Sequence, residues 1–221
     1  MSPQMLSLLA EATAQTLTMV AIAGSLACLG GIPLGLFLAL CGPGDLLPRP
    51  LLQRGLGLLV NATRSTPFII LVVAIVPLTR VLTGTSIGTA AATVPLTLAA
   101  IPFIARVVES AVREVDHGLL DAARAMGAKP GQIVTRILLP EARAGIVRGL
   151  TLAAVNLVGY SAMVGAVGGG GLGDLGIRYG YQRFMPEMML AVVLILIVLV
   201  QILQSGGEAL ARTLDKRHLK G

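Results

Sequence analysis

Long apolar runs without a charged residue, separated by short charged segments, dominate this sequence. Five such runs occupy residues 12–44, 65–79, 81–105, 149–173 and 188–207. A helix needs about 20 apolar residues to cross the hydrocarbon core of a bilayer, at about 1.5 Å per residue. Four of the runs are long enough. The pattern therefore predicts an all-α integral membrane protein with five transmembrane helices.

The second run is too short to span a membrane alone, but the mostly apolar segment 55–63 precedes it. We therefore predict one helix over 56–79, with Arg64 close enough to one end to reach the interface or a wet cavity. At the bilayer centre this arginine would cost about 3 kcal/mol or more. The predicted spans cover about 14–41, 56–79, 86–110, 145–170 and 187–209.

The composition agrees with a chain embedded in lipid. Hydrophobic residues make up 55% of the 221 residues, charged residues make up 13%, and the mean hydropathy is +0.84. A soluble domain usually carries about 25% charged residues. Five spans use most of this length, so we predict a single transmembrane domain over 1–221 with no room for a soluble catalytic domain.

Lysine and arginine residues are distributed unevenly between the two sides of the predicted bundle. Of the 17 basic residues, 14 fall on the side that holds the segment 106–148 and the C-terminus. The positive-inside rule then predicts an N-terminus outside and a C-terminus in the cytoplasm. The same bias explains the net charge of +6, and no basic cluster interleaved with aromatics points to nucleic acid.

Candidate catalytic chemistry is sparse. Cys28 and Cys41 lie in the first apolar run and predict neither a disulfide framework nor a metal site. The sequence has no Gly-Lys-Ser/Thr, so it lacks a P-loop for ATP hydrolysis. The apolar runs contain no Asp, Glu or His, which disfavours a membrane-embedded enzyme. We predict no catalytic, cofactor or metal site on this chain.

The segment 116–140 is larger than a connection between spans needs to be. Residues 119–126 are good helix formers, Gly127 stands where a left-handed cap is needed, and Pro130 suits the first turn of a second helix. An apolar stripe follows, and Pro140 is expected to end or kink that helix. We predict a rigid knob with a shallow surface made by Ala122, Ala123 and Ala125. An interfacial helix that only anchors the loop is the alternative. The stripe consists of Ile133, Val134, Ile137 and Leu138.

This segment resembles the EAA loop of bacterial binding-protein-dependent ABC importer permeases. The family pattern E-A-A-x3-G-x9-I-x-L-P matches throughout, except that Asp121 replaces the usual Glu and keeps a carboxylate of shorter reach. The resemblance implies a cytoplasmic coupling helix, between spans three and four, that docks into a groove of an ATPase subunit. The implied coupling residues are Asp121, Ala122, Ala123, Arg124, Gly127 and Pro140.

Further segments, 64–71, 77–81, 84–88, 102–106 and 159–163, resemble methionine importer permeases in particular. The resemblance implies a permease homodimer in the bacterial cytoplasmic (inner) membrane. Its implied partners are two ATPase subunits, which bind ATP and Mg²⁺, and an external substrate-binding protein. Permeases for other amino acids or osmolytes share the loop motif, so they remain alternatives, as does a non-transporting membrane scaffold.

Polar and polarizable residues in the fourth span suggest a translocation path. Buried polar groups in a membrane need partners or water. The thioether of Met163 also suits a thioether-bearing substrate, because both groups are soft and flexible. The alternative is that the same residues only pack and hydrogen-bond between helices. The candidate path residues are Asn156, Tyr160, Ser161 and Met163.

Overall fold

Helices account for all regular structure in the described part of the chain. The structure, a computed structural model, describes residues 3–43 and 45–215 and contains no β-strand within them. Lys216, Arg217 and Lys220, which contribute to the charge asymmetry, lie outside the described residues. The helices are α1 (Pro3–Leu40), α2 (Pro50–Ser65), α3 (Phe68–Ala74), α4 (Val76–Thr83), α5 (Thr89–Arg113), α6 (His117–Ala125), α7 (Pro130–Ile133), α8 (Leu139–Gly165), α9 (Gly171–Leu175) and α10 (Pro186–Leu214).

Within the described residues, four helical stretches are long and apolar enough to cross a membrane. They are Pro3–Leu40, Thr89–Arg113, Pro130–Gly165 and Pro186–Leu214. A fifth candidate is the bent pair formed by α2 and α3. The prediction of an all-helical membrane fold is confirmed, with four spans, or five if the bent pair counts as one.

The prediction of a single helix over 56–79 is wrong. α2 and α3 meet at an angle of 103°, and a second break at Ile75 separates α3 from α4. Thr66 adopts an extended conformation (φ −82°, ψ 126°) because the ring of Pro67 disfavours helical geometry in the preceding residue. Pro77 lies in the first turn of α4, where a missing N–H is harmless. Hydropathy alone does not register these breaks.

Pro140 neither ends nor interrupts the helical chain path that leads into the fourth span. The π-helical turn Val134–Leu138 joins α7 to α8, and the Leu139 N–H donates to the Val134 carbonyl, five residues back. This wider register accommodates the N–H that Pro140 lacks. Helical structure therefore runs from Pro130 to Gly165, and the expectation of an end or kink at Pro140 is corrected to a π-helical turn before it.

The pairing of α1 with α5 is the most extensive helix contact in the fold. It depends on glycines, because a Cβ atom at Gly31 would lie 2.8 Å from the Cβ of Ile104. A Cβ at Gly35 would collide with the Ala105 carbonyl oxygen and lie 2.7 Å from the Cβ of Val108. Small residues let helix backbones approach closely where lipid supplies no hydrophobic drive for association.

The ends of four long helices, α1, α5, α8 and α10, meet at the side of the bundle that carries the segment 116–140, which we call the loop end. Arg113 of α5 donates through Nη2 to the Leu38 carbonyl near the end of α1, at 3.0 Å. Arg143 of α8 donates through Nε to the Leu214 carbonyl at the end of α10, also at 3.0 Å. These bonds supply partners to helix C-terminal carbonyls that have none within their own helix.

Alanine substitutions at two helical glycines should change stability in opposite directions. Gly35→Ala should destabilise by about 1–3 kcal/mol, because its Cβ overpacks against the α5 backbone. Gly55→Ala in α2 meets nothing within 4 Å and should stabilise by up to about 1 kcal/mol through helix propensity. Thermal unfolding in detergent, followed by circular dichroism, measures both. Equal shifts would contradict the close α1–α5 packing.

Candidate functional site

Local hydrogen bonds define both ends of α6 in the loop. The Asp116 carboxylate accepts from the Gly118 N–H at 2.7 Å, which caps the helix N-terminus. At the other end Gly127 takes a left-handed conformation with φ of 75°. The Ala128 N–H then donates to the Ala123 carbonyl at 3.1 Å, which closes a Schellman-type turn. The predicted left-handed cap at Gly127 is confirmed. Glycine is needed there for its conformation and not for space, because a Cβ would meet nothing within 4 Å.

The second short helix begins at Pro130, as predicted from its position. Just before it, the Lys129 N–H donates to Oε1 of Gln132 at 2.9 Å, which satisfies a backbone donor at the helix start. The predicted apolar stripe packs into the main hydrophobic core, which also contains Val112 of α5 and Val115 just after it. The loop is thus fastened to the spans by side-chain burial.

The two faces of α6 differ sharply in exposure. Asp121 is exposed and forms an ion pair with Arg124 at 3.3 Å, and Ala122 beside it is exposed too. Ala123 is only 1% exposed and packs in the core, so the expectation that it contributes to the shallow outer surface is wrong. A side chain larger than alanine would push α6 away from the spans.

Two other loop residues add detail that sequence reasoning did not provide. Met126 is highly exposed, because it is the last residue before the Gly127 turn and no following helical turn covers it. Pro140 is half-buried and lines a small cavity with Asp116 and Arg148 at the base of the loop. The outer surface of the loop is therefore made by the exposed residues of α6 and the turn after it.

The candidate path residues of α8 do not form one stripe. Asn156, Tyr160 and Met163 follow i, i+4, i+7 spacing and share one partly exposed face. Ser161 lies about 100° around the helix from Tyr160. It is 2% exposed, and its hydroxyl donates to the Val158 carbonyl at 2.7 Å. Grouping Ser161 with the other three was wrong, because helical periodicity turns it into the core.

Tyr160 connects this face to the broken second span. Its ring stacks on Phe68 at the start of α3, with ring centroids 4.3 Å apart and planes 11° from parallel. Four residues before Phe68, the Arg64 guanidinium of α2 sits 5.8 Å from the centroid of the Phe103 ring on α5. Sequence reasoning missed Phe68, although its place directly after a helix-breaking proline is a signal that could have identified it.

Residues 3–43 and 45–215 contain no group of three or more His, Cys, Asp or Glu placed to hold a metal ion. The loop and the α8 face present an exposed carboxylate–guanidinium pair, small apolar side chains, an amide, a stacked phenol and a thioether, groups that suit contact surfaces.

Comparison with known proteins gives matches along nearly the whole chain. A family model described as "Binding-protein-dependent transport system inner membrane component" matches residues 31–217. A protein of Vibrio cholerae described as "Probable D-methionine transport system permease protein MetI" is 54% identical over 210 residues, which cover 95% of this chain and 93% of that protein. A protein of Pasteurella multocida with the same description is 43% identical over 217 residues, covering 98% and 100%.

Solved structures extend the similarity to three dimensions. A chain in a structure described as "Inward facing conformations of the MetNI methionine ABC transporter" superposes with a TM-score of 0.95 at 46% identity, covering 98% of this chain and 100% of that one. A chain from "Crystal structure of an amino acid ABC transporter with histidines" has a TM-score of 0.75 at 20% identity, covering 94% of each, and shares the fold.

The family match and the relatives span most of the sequence, including the loop, the α8 face and the helices that support them. The chain therefore belongs to the family of binding-protein-dependent transport system inner membrane components, multi-pass proteins of the inner membrane.

Proposed function

We propose that this chain is the permease subunit of an ATP-driven ABC importer for methionine, in the D- form, the L- form or both. The observation that carries the proposal is the end-to-end similarity to the Vibrio cholerae protein and to the chain of the methionine transporter structure. Because the match covers the whole fold, it supports a shared transport role more strongly than the loop motif alone.

The proposed assembly contains two copies of the permease, two ATPase subunits and an external substrate-binding protein. ATP and Mg²⁺ bind to the ATPase subunits, since this sequence has no P-loop of its own. The name of the structurally similar transporter and the family description support this division of labour. The permease forms the path, and a partner supplies the energy.

The loop end of the bundle is proposed to face the cytoplasm, with the N-terminus outside. The positive-inside rule supports this orientation, because 14 of the 17 basic residues fall on that side. An ATPase can reach the exposed face of α6 only from the cytoplasm. Asp121, Ala122 and Arg124 are proposed to contact it directly, while Ala123, Gly127 and Pro140 hold the loop in shape.

The α8 face that carries Asn156, Tyr160 and Met163 is proposed to line the translocation path. Its partial exposure supports this role, because these groups can reach a ligand or a second permease copy. The Tyr160–Phe68 stack ties the face to the broken second span. A change in the angle between α2 and α3 would therefore move Phe68 and, through the ring stack, Tyr160 in the path.

Competition uptake tests the cargo. In proteoliposomes holding the permease, the ATPase and the binding protein, labelled L-methionine, D-methionine or both should accumulate, and only with ATP. Unlabelled methionine should compete, whereas other amino acids and choline-like osmolytes should not. Accumulation of an osmolyte in place of methionine would assign a different cargo, and no ATP-dependent uptake by the complete complex would support a scaffold.

Two glycines in the loop offer a matched pair for the coupling role. Gly127→Ala forces a side chain into a left-handed conformation, at about 1–2 kcal/mol, and should lower ATP-driven uptake and retention of the ATPase. Gly131→Ala in α7 meets nothing within 4 Å at ordinary helical φ and should leave both unchanged. Uptake and ATPase co-purification are the measurements. Asp121→Ala, which removes the exposed carboxylate, should also lower both quantities. If Gly127→Ala and Asp121→Ala both behave like the wild type, the loop has no part in the mechanism, and the case for its cytoplasmic placement is weaker.

Substitutions in α8 separate the proposed path from the core. Asn156→Ala and Met163→Ala should each raise the KM for methionine uptake by about tenfold, the equivalent of one lost contact of about 1.4 kcal/mol. Ser161→Ala should leave the KM unchanged, because that hydroxyl points into the protein. A KM that rises only in Ser161→Ala would show that the path lies on the other side of α8.

A further inference from the structure

One buried carboxylate lies at the loop end of α5. The side chain of Glu109 is 9% exposed, and each of its oxygens meets a different guanidinium. Arg106 Nη1 donates to Oε2 at 2.5 Å, and Arg113 Nε donates to Oε1 at 3.2 Å. The two arginines stand three residues before and four residues after Glu109, so all three side chains share one face of the helix.

Arg106 links the Glu109 carboxylate to α2. Its Nη2 donates to the Gly57 carbonyl at 3.1 Å and to Oδ1 of Asn61 at 2.8 Å. Its Nε is buried and has no hydrogen-bond partner among the described residues. Arg106 therefore depends on Glu109 for compensation of its charge, because one of its own donors is already unpaired.

Arg113 links the Glu109 carboxylate to the end of α1 and to the segment that follows it. Besides its bond to Leu38, its Nη2 lies 3.6 Å from Oδ2 of Asp45. That same oxygen accepts from the Gly42 N–H at 2.8 Å. One carboxylate thus joins four parts of the fold: the end of α1, the segment at Asp45, α2 and α5.

These four parts connect directly to both proposed functional surfaces. Three residues separate the end of α5 from the start of α6, and one of them, Val115, is buried in the same core as Val112. At the other end α2 leads through the Pro67 break into α3, which carries Phe68 against Tyr160. The loop also runs directly into α8, which carries the proposed path face. Through α5, a displacement of α6 reaches the α2–α3 side of the path only if α5 and α2 move together.

We propose that Glu109 is a positioning residue for energy coupling. By neutralising Arg106 and Arg113 together, it makes the end of α1, α2 and α5 move as one body with the loop 116–140. Movement of a docked ATPase then reaches the α2–α3 side of the path, because α2 and α5 do not slide past each other. This inference rests on the proposed function, which supplies the ATPase and the cargo.

The chain contains a matched control for Glu109. Glu208 on α10 also meets two arginines, Arg212 Nε at 3.3 Å and Arg148 Nε at 3.9 Å. Its side chain is 43% exposed, so water and salt screen these pairs. Neutralising Glu208 removes the same chemical group from the same end of the bundle and leaves the four-part network intact.

The first test compares Glu109→Gln with Glu208→Gln in the reconstituted complex with its ATPase and binding protein. The measured quantity is ATP hydrolysed per methionine imported. Glu109→Gln should raise this ratio by at least about fivefold, the lower end of typical coupling between sites. Glu208→Gln should stay within roughly twofold of the wild type. Equal ratios in the two variants, with import by the wild type, would overturn the inference and leave the proposed function standing.

A rescue distinguishes ion pairing from simple loss of packing. Asn61→Asp in the Glu109→Gln background gives the Arg106 guanidinium a new carboxylate partner. In the wild type, Oδ1 of Asn61 already lies 2.8 Å from Arg106 Nη2. The ratio should fall toward the wild-type value, and a ratio that stays high would contradict the charge role. If Glu109→Gln fails to retain the ATPase, Glu109→Asp takes its place. It keeps the charge but is one methylene too short to hold both arginines, so a smaller rise is expected, one that still exceeds the range of Glu208→Gln.

A distance measurement tests the single-body motion without reference to the cargo. Spin labels at Leu58 on α2 and Thr135 in the loop, both exposed, are introduced after Cys28 and Cys41 are replaced by alanine. The distance between the labels should be equal with and without bound ATP in the wild type and in Glu208→Gln. It should change on ATP binding in Glu109→Gln. A distance that changes in the wild type would overturn the inference, whether or not methionine proves to be the cargo.

Discussion

Every backbone amide that lies in hydrocarbon must find its hydrogen-bond partner within the protein, and the architecture of this chain depends on that constraint. It explains the absence of strands among the described residues, and it also governs the irregular positions. At Leu139 the helix changes to a five-residue hydrogen-bond spacing and so stays bonded beside Pro140. At Pro67 no such adjustment occurs, and the chain turns by 103° between two helices.

Close packing between helices follows from the same setting. Lipid is as apolar as a leucine side chain, so helices gain little by burying leucines against one another. They gain by bringing backbones together, which Gly31 and Gly35 permit against α5. Among the described residues few polar groups are buried within the spans, and they are hydrogen-bonded: Ser161 donates within α8, and Thr16 of α1 accepts from the Leu172 N–H of α9. Buried charge is instead concentrated at the loop end, around Glu109, where the arginines can keep their partners.

The loop 116–140 combines strong local signals with a long-range anchor. Its cap at Asp116 and its turn at Gly127 are made within the loop, by hydrogen bonds between near neighbours. Its position depends on Ala123, Ile133 and Leu138, which are buried against the ends of the spans. Local hydrogen bonds thus define the shape of the loop and burial defines its attachment, which is what the proposed coupling role requires.

The sequence by itself determined the fold class, the long spans and the internal shape of the loop. These features depend on periodicity, charge-free length and turn residues such as Gly127 and Pro130, all of which act between residues close in the chain. The relationship to importer permeases was also readable, because the loop motif has fixed spacing over twenty residues.

Tertiary structure alone decided which side chains meet. It turned Ala123 and Ser161 into the core, broke the second span at Pro67, and brought Phe68 onto Tyr160. It also assembled Glu109 with arginines whose other partners lie about 50 and 75 positions away along the chain. Such contacts depend on how helices rotate and cross, and that is set by the packing of whole faces, which no local pattern in the sequence records.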